Sequence, residues 1–250
     1  MLKSWAHCYL IGLFLVVTGL PATAGETKVA VASNFTAPAK EIARAFAEKT
    51  GHRAILIFGS TGKLYAQISQ GAPFELYLAA NSKHPQRAEE EGLAIAATRF
   101  TYARGKVLLY SSDPTLRGDK EKLLASDKFS KIAIANPISA PYGTAAVETM
   151  KRLGVYDKLV PKIVKGDNIA QTYQFVATGN AQLGFVSLSQ VINTKGGSRW
   201  AIPDDFYTPI KQDAVLLKKG ADSIPAKAFL VFLKSDAAYA IIKKYGYGLK

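Results

Sequence analysis

The chain predicts an α/β protein built in two successive blocks, on three observations. Strand-like apolar runs alternate with amphipathic helical stretches from residue 28 onward. Several of these strand runs lead into a loop rich in Gly, Ser, Thr or Asn, and a helical pattern follows. The order strand–helix–strand–helix–strand implies a mostly parallel sheet with helices on both faces. The alternation restarts near Thr101, which divides the chain into two lobes with a cleft between them. A single large sheet would produce the same alternation, so pattern alone leaves both arrangements open.

In order, KVAVAS (28–33) is β-branched and apolar and reads as a buried strand. PAKEIARAFAEKTG follows with Ile42, Ala43, Phe46 and Ala47 on one helical face and Gly51 as its stop. RAILIFGS is the second strand, GKLYAQISQGAP a short helix, and FELYLAAN the third strand. TYARGKVLLYSS opens the second block. DPTLRGDKEKLLAS is a polar connection with a turn and a short helix, and KIAIANP is a strand. TAAVETMKRLG is a helix ended by Gly154, and DNIAQTYQFVATG another, capped by Asp167 or Asn168. AQLGFVSLSQV is a strand leading into a turn, PDDFYTPIKQDAVLLKK a returning strand, and AKAFLVFLKSDAAYAIIKKYG one or two closing helices. The chain would cross between blocks near Ala103 and return near Pro209. This gives a first lobe over 25–103, a second over 104–208, and a return to the first over 209–250.

The first 24 residues stand apart. They carry Lys3, an unbroken apolar run from Tyr9 to Val17, and the small-x-small ending Ala22-Thr23-Ala24. This is the pattern of a secretory leader cleaved near Ala24, and the run falls short of the ~20 residues that span a bilayer. The lone cysteine, Cys8, leaves with it. The mature protein is then exported without disulfides, and its roughly 225 residues suffice for an apolar core. The net charge of +13 falls by one with Lys3. The remaining lysines are scattered, with doublets only at Lys218-Lys219 and Lys243-Lys244, and no zinc-finger spacing accompanies them. A solvated basic surface is expected, not nucleic-acid binding.

Four loops at strand–helix junctions are candidate ligand contacts, since ligands of open α/β sheets bind beyond the carboxyl ends of strands. They are ASNFTAP (32–38), GSTGK (59–63), NPISAPYGT (136–144) and GDNIA (166–170). FGSTGK superficially resembles a nucleotide phosphate loop. That loop requires glycine at position 57 and Ser or Thr at position 64, where this chain has Ile57 and Leu64. What the four loops share is backbone N–H groups at helix starts, which attract an anion. Taken singly, each is also an ordinary set of cap and turn residues.

Together the motifs are specific. Ser33-Asn34-Phe35, Gly59-Ser60-Thr61-Gly62, Gly71-Ala72-Pro73 and Ala140-Pro141-Tyr142-Gly143 occur in one order with RFTYARGK and LGFVSLSQ. In this the mature chain, from Lys28 to the closing YGYGL, resembles the periplasmic molybdate-binding proteins of ABC transporters. The resemblance implies a type II periplasmic-binding fold: two lobes, each a mostly parallel sheet flanked by helices, with the ligand cleft between them. It implies an oxyanion held by neutral donors, with Ser33, Asn34 and Thr61 on one lobe meeting Tyr142 and Ile169 on the other. Ser60 adjoins the second hydroxyl. Where many members carry a tyrosine that reaches the oxyanion, this chain has Ser187, so the phenol of Tyr142 is expected to replace it.

The expected function is periplasmic capture of molybdate, and of tungstate with it, for delivery to a membrane ABC permease by a monomeric protein. No cofactor and no direct metal-cation ligand are expected. A donor-only site suits a fully deprotonated dianion, whereas phosphate near pH 7 keeps a proton that wants an acceptor. Lys63 is expected to lie along its helix and Asp167 to act as a cap. The alternative within the class is a relative selective for sulfate. An exported hydrolase is more remote: there is no G-x-S-x-G elbow, and His52 and His84 read as surface residues. Asp204-Asp205 reads as an isolated acidic turn.

Overall fold

The computed structural model describes residues 24–249, so the leader lies outside the described residues apart from Ala24. The first block opens with β1 (Glu26–Ala32), a 3₁₀ turn over Ser33–Phe35, α1 (Thr36–Thr50), β2 (Arg53–Gly59) and α2 (Thr61–Ser69). β3 (Leu76–Leu78), α3 (Lys83–Glu90) and β4 (Phe100–Gly105) complete it. The second block runs β5 (Val107–Ser111), α4 (Lys120–Ala125), β6 (Ile132–Ala135), α5 (Pro141–Arg152) and α6 (Tyr156–Leu159). It continues with β7 (Ile163–Gly166), α7 (Ile169–Ala177), β8 (Leu183–Ser187), α8 (Leu188–Val191) and β9 (Ser198–Ala201). The return supplies β10 (Ile210–Leu216), α9 (Ile224–Phe232) and α10 (Asp236–Lys244).

Two five-stranded sheets result, ordered β2-β1-β3-β10-β4 and β7-β6-β8-β5-β9. In the first, β1 pairs in parallel with β2 and β3, whereas β10 is antiparallel to both β3 and β4. Four strands therefore share one direction and β10 alone opposes them. The second sheet repeats this plan, with β5 as the opposed strand between β8 and β9. TYARGKVLLYSS, one apolar run in sequence, is split: β4 ends in the first sheet at Gly105 and β5 begins in the second at Val107. The crossover thus falls at Lys106, three residues past the expected Ala103. The short strands β7 and β9 and the helices α3 and α6 also lacked a clear periodic signal.

Alternation along each strand divides its side chains between two faces. Val29 and Val31 pack with Ile42, Phe46, Leu76 and Phe229 beneath α1 and α9, while Ala30 and Tyr77 face Leu64 and Ile68 of α2. The second sheet buries Leu109, Ile132, Ile134 and Met150 on one face and Leu108, Ala133, Val176 and Val186 on the other. Helices end where the sequence places glycine: Gly51 takes φ 74° and its N–H returns to the Ala47 carbonyl. The helices thus start at the same edges of both sheets, and the four candidate loops face each other there.

Candidate functional site

The five residues singled out above line one cavity. Ser33 and Asn34 follow β1, Thr61 opens α2, Tyr142 lies in the first turn of α5, and Ile169 opens α7; Ala32, Gly59, Ser60, Ala80, Ala140 and Pro141 complete the wall. Measured at the centre of a water-sized sphere its volume is about 10 Å³. That is about the space one water-sized group fills. Such a hole holds one small ion and excludes a sugar or a peptide. No lining residue is charged.

Backbone geometry supplies donors. The first N–H groups of a helix have no intrahelical acceptor. In α7 the Asn168 side chain takes the N–H groups of Ala170 and Gln171, at 2.9 and 3.1 Å, which leaves that of Ile169. In α5 Pro141 has no N–H, and the Ala140 carbonyl takes those of Gly143 and Thr144, which leaves Tyr142. Thr61 is the first residue of α2. Its Oγ1 accepts the Ala80 N–H at 3.0 Å, so the hydroxyl's own proton is free for another acceptor. Ser60 Oγ is buried with no partner among the described residues, which is costly unless something else meets it. Sequence reasoning set Ser60 beside the site without a role, and missed Ala80 because an alanine after a strand carries no signal.

The two sheets' elements touch around the cavity. The Gly62 N–H donates to the Ser139 carbonyl at 2.8 Å, and Lys63 Nζ pairs with Asp167 Oδ1 at 3.0 Å. Two expectations change here. Asp167 does not cap α7, because Asn168 Oδ1 already takes the Ala170 and Gln171 N–H groups, and Lys63 reaches across to pair with Asp167.

Side-chain roles also shift. The Asn34 amide is committed to Gln212 Oε1 at 2.8 Å and to the Tyr247 hydroxyl at 3.0 Å, so Asn34 offers the cavity its backbone. The Tyr142 hydroxyl lies 3.2 Å from Ser187 Oγ and 3.5 Å from Gln212 Nε2. Ser187, too short to reach the cavity itself, thus contacts the phenol expected to replace the missing tyrosine. Burial holds the Tyr142 phenol well above its usual pKa, so it stays a neutral donor.

The histidines are not free surface groups. His84 is half-buried against Asn81, and burial followed by the charges of Lys83 and Arg87 lowers its pKa. His52 Nδ1 accepts the Gly25 N–H at 3.0 Å. Among the described residues no cluster of His, Cys, Asp or Glu is arranged to hold a metal ion, and no helix is long and apolar enough to cross a membrane.

Comparison with known proteins agrees with this geometry. Residues 27–248 match the family described as bacterial extracellular solute-binding protein. Over 228 residues the chain is 56% identical to the molybdate-binding protein ModA of Rhodobacter capsulatus, covering 91% of this chain and 90% of that protein. The Azotobacter vinelandii protein of the same name is 50% identical over 232 residues, 92% of each. The solved structure of the Azotobacter vinelandii periplasmic molybdate-binding protein superposes with a TM-score of 0.87 at 40% identity, covering 90% of this chain and 99% of that one. The fold is thus the two-lobed periplasmic-binding fold, and the chain belongs to the bacterial extracellular solute-binding proteins, a family of binders and not of enzymes.

Proposed function

We propose that this chain captures molybdate, and tungstate with it, and delivers it to a membrane ABC permease. One observation carries the reading: the starts of α2, α5 and α7 and the 3₁₀ turn after β1 converge on a small cavity with no charged residue in its wall. Each helix start favours an anion by about 0.3–1 kcal/mol, and by up to ~2 when partly buried. Charge-assisted hydrogen bonds of roughly 1.5–3 kcal/mol each help offset desolvation of a dianion. The absence of a carboxylate acceptor in the wall disfavours a protonated phosphate. Molybdate and tungstate are close in size, so one cavity serves both.

The ligands are Ser33, Asn34 and Thr61 from one lobe and Tyr142 and Ile169 from the other. The lobes comprise 25–105 with 209–250, and 106–208. Binding shifts the population toward the closed arrangement because only there do both sets of donors meet the anion. The protein works as a periplasmic monomer after cleavage near Ala24, without cofactor, turnover or nucleic acid. A thermal-shift panel of molybdate, tungstate, sulfate and phosphate on the mature chain tests this. Ligand at 100 times its dissociation constant stabilises by about 2.7 kcal/mol, a rise of roughly 5–11 °C for a chain of this size. The rise is expected with molybdate and tungstate alone. A response confined to sulfate or phosphate would overturn the assignment.

A further inference from the structure

Behind the cavity wall runs a buried chain of hydrogen bonds that links the two lobes. Tyr142 contacts Ser187, and Ser187 Oγ lies 2.8 Å from Ser189 Oγ. Ser189 donates to the Asn34 carbonyl at 2.9 Å. The Tyr247 hydroxyl lies 2.8 Å from the same carbonyl and 2.9 Å from Ser189 Oγ, and it accepts from the Asn34 amide. Gln212 closes the circuit. Its Oε1 takes the Asn34 amide and the Tyr102 hydroxyl, which turns its Nε2 toward Tyr142. All of these side chains are buried.

Only the two ends of this chain, Asn34 and Tyr142, line the cavity, and they belong to different lobes. Ser187 and Ser189 lie where β8 turns into α8. Tyr247 comes from the last segment, where Gly248 bridges to Arg104 on the strand that leaves the first sheet. In a buried, low-dielectric setting hydroxyls in series fix one another's orientation. The Asn34 carbonyl, approached by two hydroxyls from two directions, has its peptide plane fixed.

We propose that Ser189 and Tyr247 are positioning residues, which touch no ligand but hold the Asn34 backbone of one lobe and Tyr142 of the other at the separation the anion requires. This rests on the oxyanion-binding function proposed above. Neither residue is a wall residue, so their effect would pass through Asn34 and Ser187.

Calorimetric titration and stopped-flow release of molybdate, on the wild-type mature chain and on Ser189→Ala, Ser189→Thr and Tyr247→Phe, test the proposal. Tyr247→Phe removes one oxygen and no packing volume. Ser189→Ala and Tyr247→Phe are each expected to weaken binding about five- to tenfold, through faster release. Ser189→Thr, which keeps the hydroxyl, should stay within about twofold of wild type. The double variant should depart from the product of the single effects, because both act on one carbonyl. A merely structural role would lower the melting temperature and leave the release rate alone. Wild-type binding with release unchanged in Ser189→Ala and Tyr247→Phe overturns the positioning role only. A wild-type chain that takes up no molybdate overturns the functional reading and, with it, this inference.

Discussion

The two halves of the proposed site would hold an anion by different means. The first lobe presents hydroxyls, those of Ser33 and Thr61 with the orphaned Ser60 beside them. The second presents backbone N–H groups at the starts of α5 and α7, carried by Tyr142 and Ile169. A hydroxyl is removed by one substitution, whereas a backbone donor is lost only if its helix moves. The first half should therefore be sensitive to side-chain chemistry, and the second to packing behind it.

The sharpest way to break the second half is at Gly143. A Cβ there would lie 2.0 Å from the Ala135 carbonyl oxygen and 2.9 Å from the Pro137 nitrogen, so backbone has to give way. Gly143→Ala should shift the start of α5 and cost about 3 kcal/mol of stability, the upper range for overpacking. The melting temperature would fall by roughly 6–12 °C, and molybdate binding should be largely lost. A calorimetric titration that finds wild-type affinity would show that the α5 donors do not matter. Next in size is Thr61→Ala on the first half. Losing one charge-assisted hydrogen bond should weaken binding by about 1.5–3 kcal/mol, and an unchanged dissociation constant would remove Thr61 from the site.

A pH series sharpens the comparison from both sides. Tyr77, Tyr102 and Tyr142 all have pKa values raised well above the ordinary 10.0 by burial. Their folded pKa exceeds the unfolded one, so the stability they contribute is complete below pH 10 and is lost as pH rises toward the folded values. Affinity should therefore be flat between about pH 6 and 9, with the melting temperature dropping only above ~10. A step in affinity below pH 6.5, the ordinary value from which burial lowers His84, would couple that histidine to the site.

How much of this was legible in the sequence follows the same division. Hydroxyls and strong periodicity can be read: β1, α1 and the four junction loops stood out, while the ligand roles of Ser33 and Thr61 came from the family resemblance. Tyr142 and Ile169 offer the proposed site main-chain N–H groups common to all residues; the resemblance pointed to the Tyr142 phenol, but that hydroxyl is engaged with Ser187 and Gln212. The Asn34 amide illustrates the limit. Its residue type suggested a ligand, but its two hydrogens are spent on Gln212 and Tyr247, which lie 178 and 213 residues away. No local pattern encodes such a partner. The exchange of sheets was expected near Ala103 and falls at Lys106, since apolar residues flank Arg104-Gly105-Lys106 on both sides and blur where β4 ends.

Between the halves lies the Lys63–Asp167 pair, an exposed contact across the rim with side chains 52% and 68% accessible. Exposed pairs contribute little, typically below ~1 kcal/mol. Asp167→Asn should therefore change affinity by less than about fivefold. The change should appear mainly in the release rate at low salt and fade as salt screens the pair. A much larger loss, persisting at high salt, would make Asp167 part of the grip instead of a clasp over it.

The smallest effect expected is the most discriminating for the comparison. Ile169 is a buried wall residue whose side chain lies in the second lobe's core, while its N–H is the donor left over when Asn168 has taken the next two. Ile169→Val removes one methylene and keeps the backbone, so it should cost about 0.5–1.5 kcal/mol of stability. The molybdate dissociation constant should stay within about twofold. Melting curves and titrations on the same preparation separate the two quantities. If affinity falls in proportion to stability, the side chain shapes the cavity and the contrast between a hydroxyl half and a backbone half fails. If only the melting temperature moves, that half of the grip belongs to the main chain.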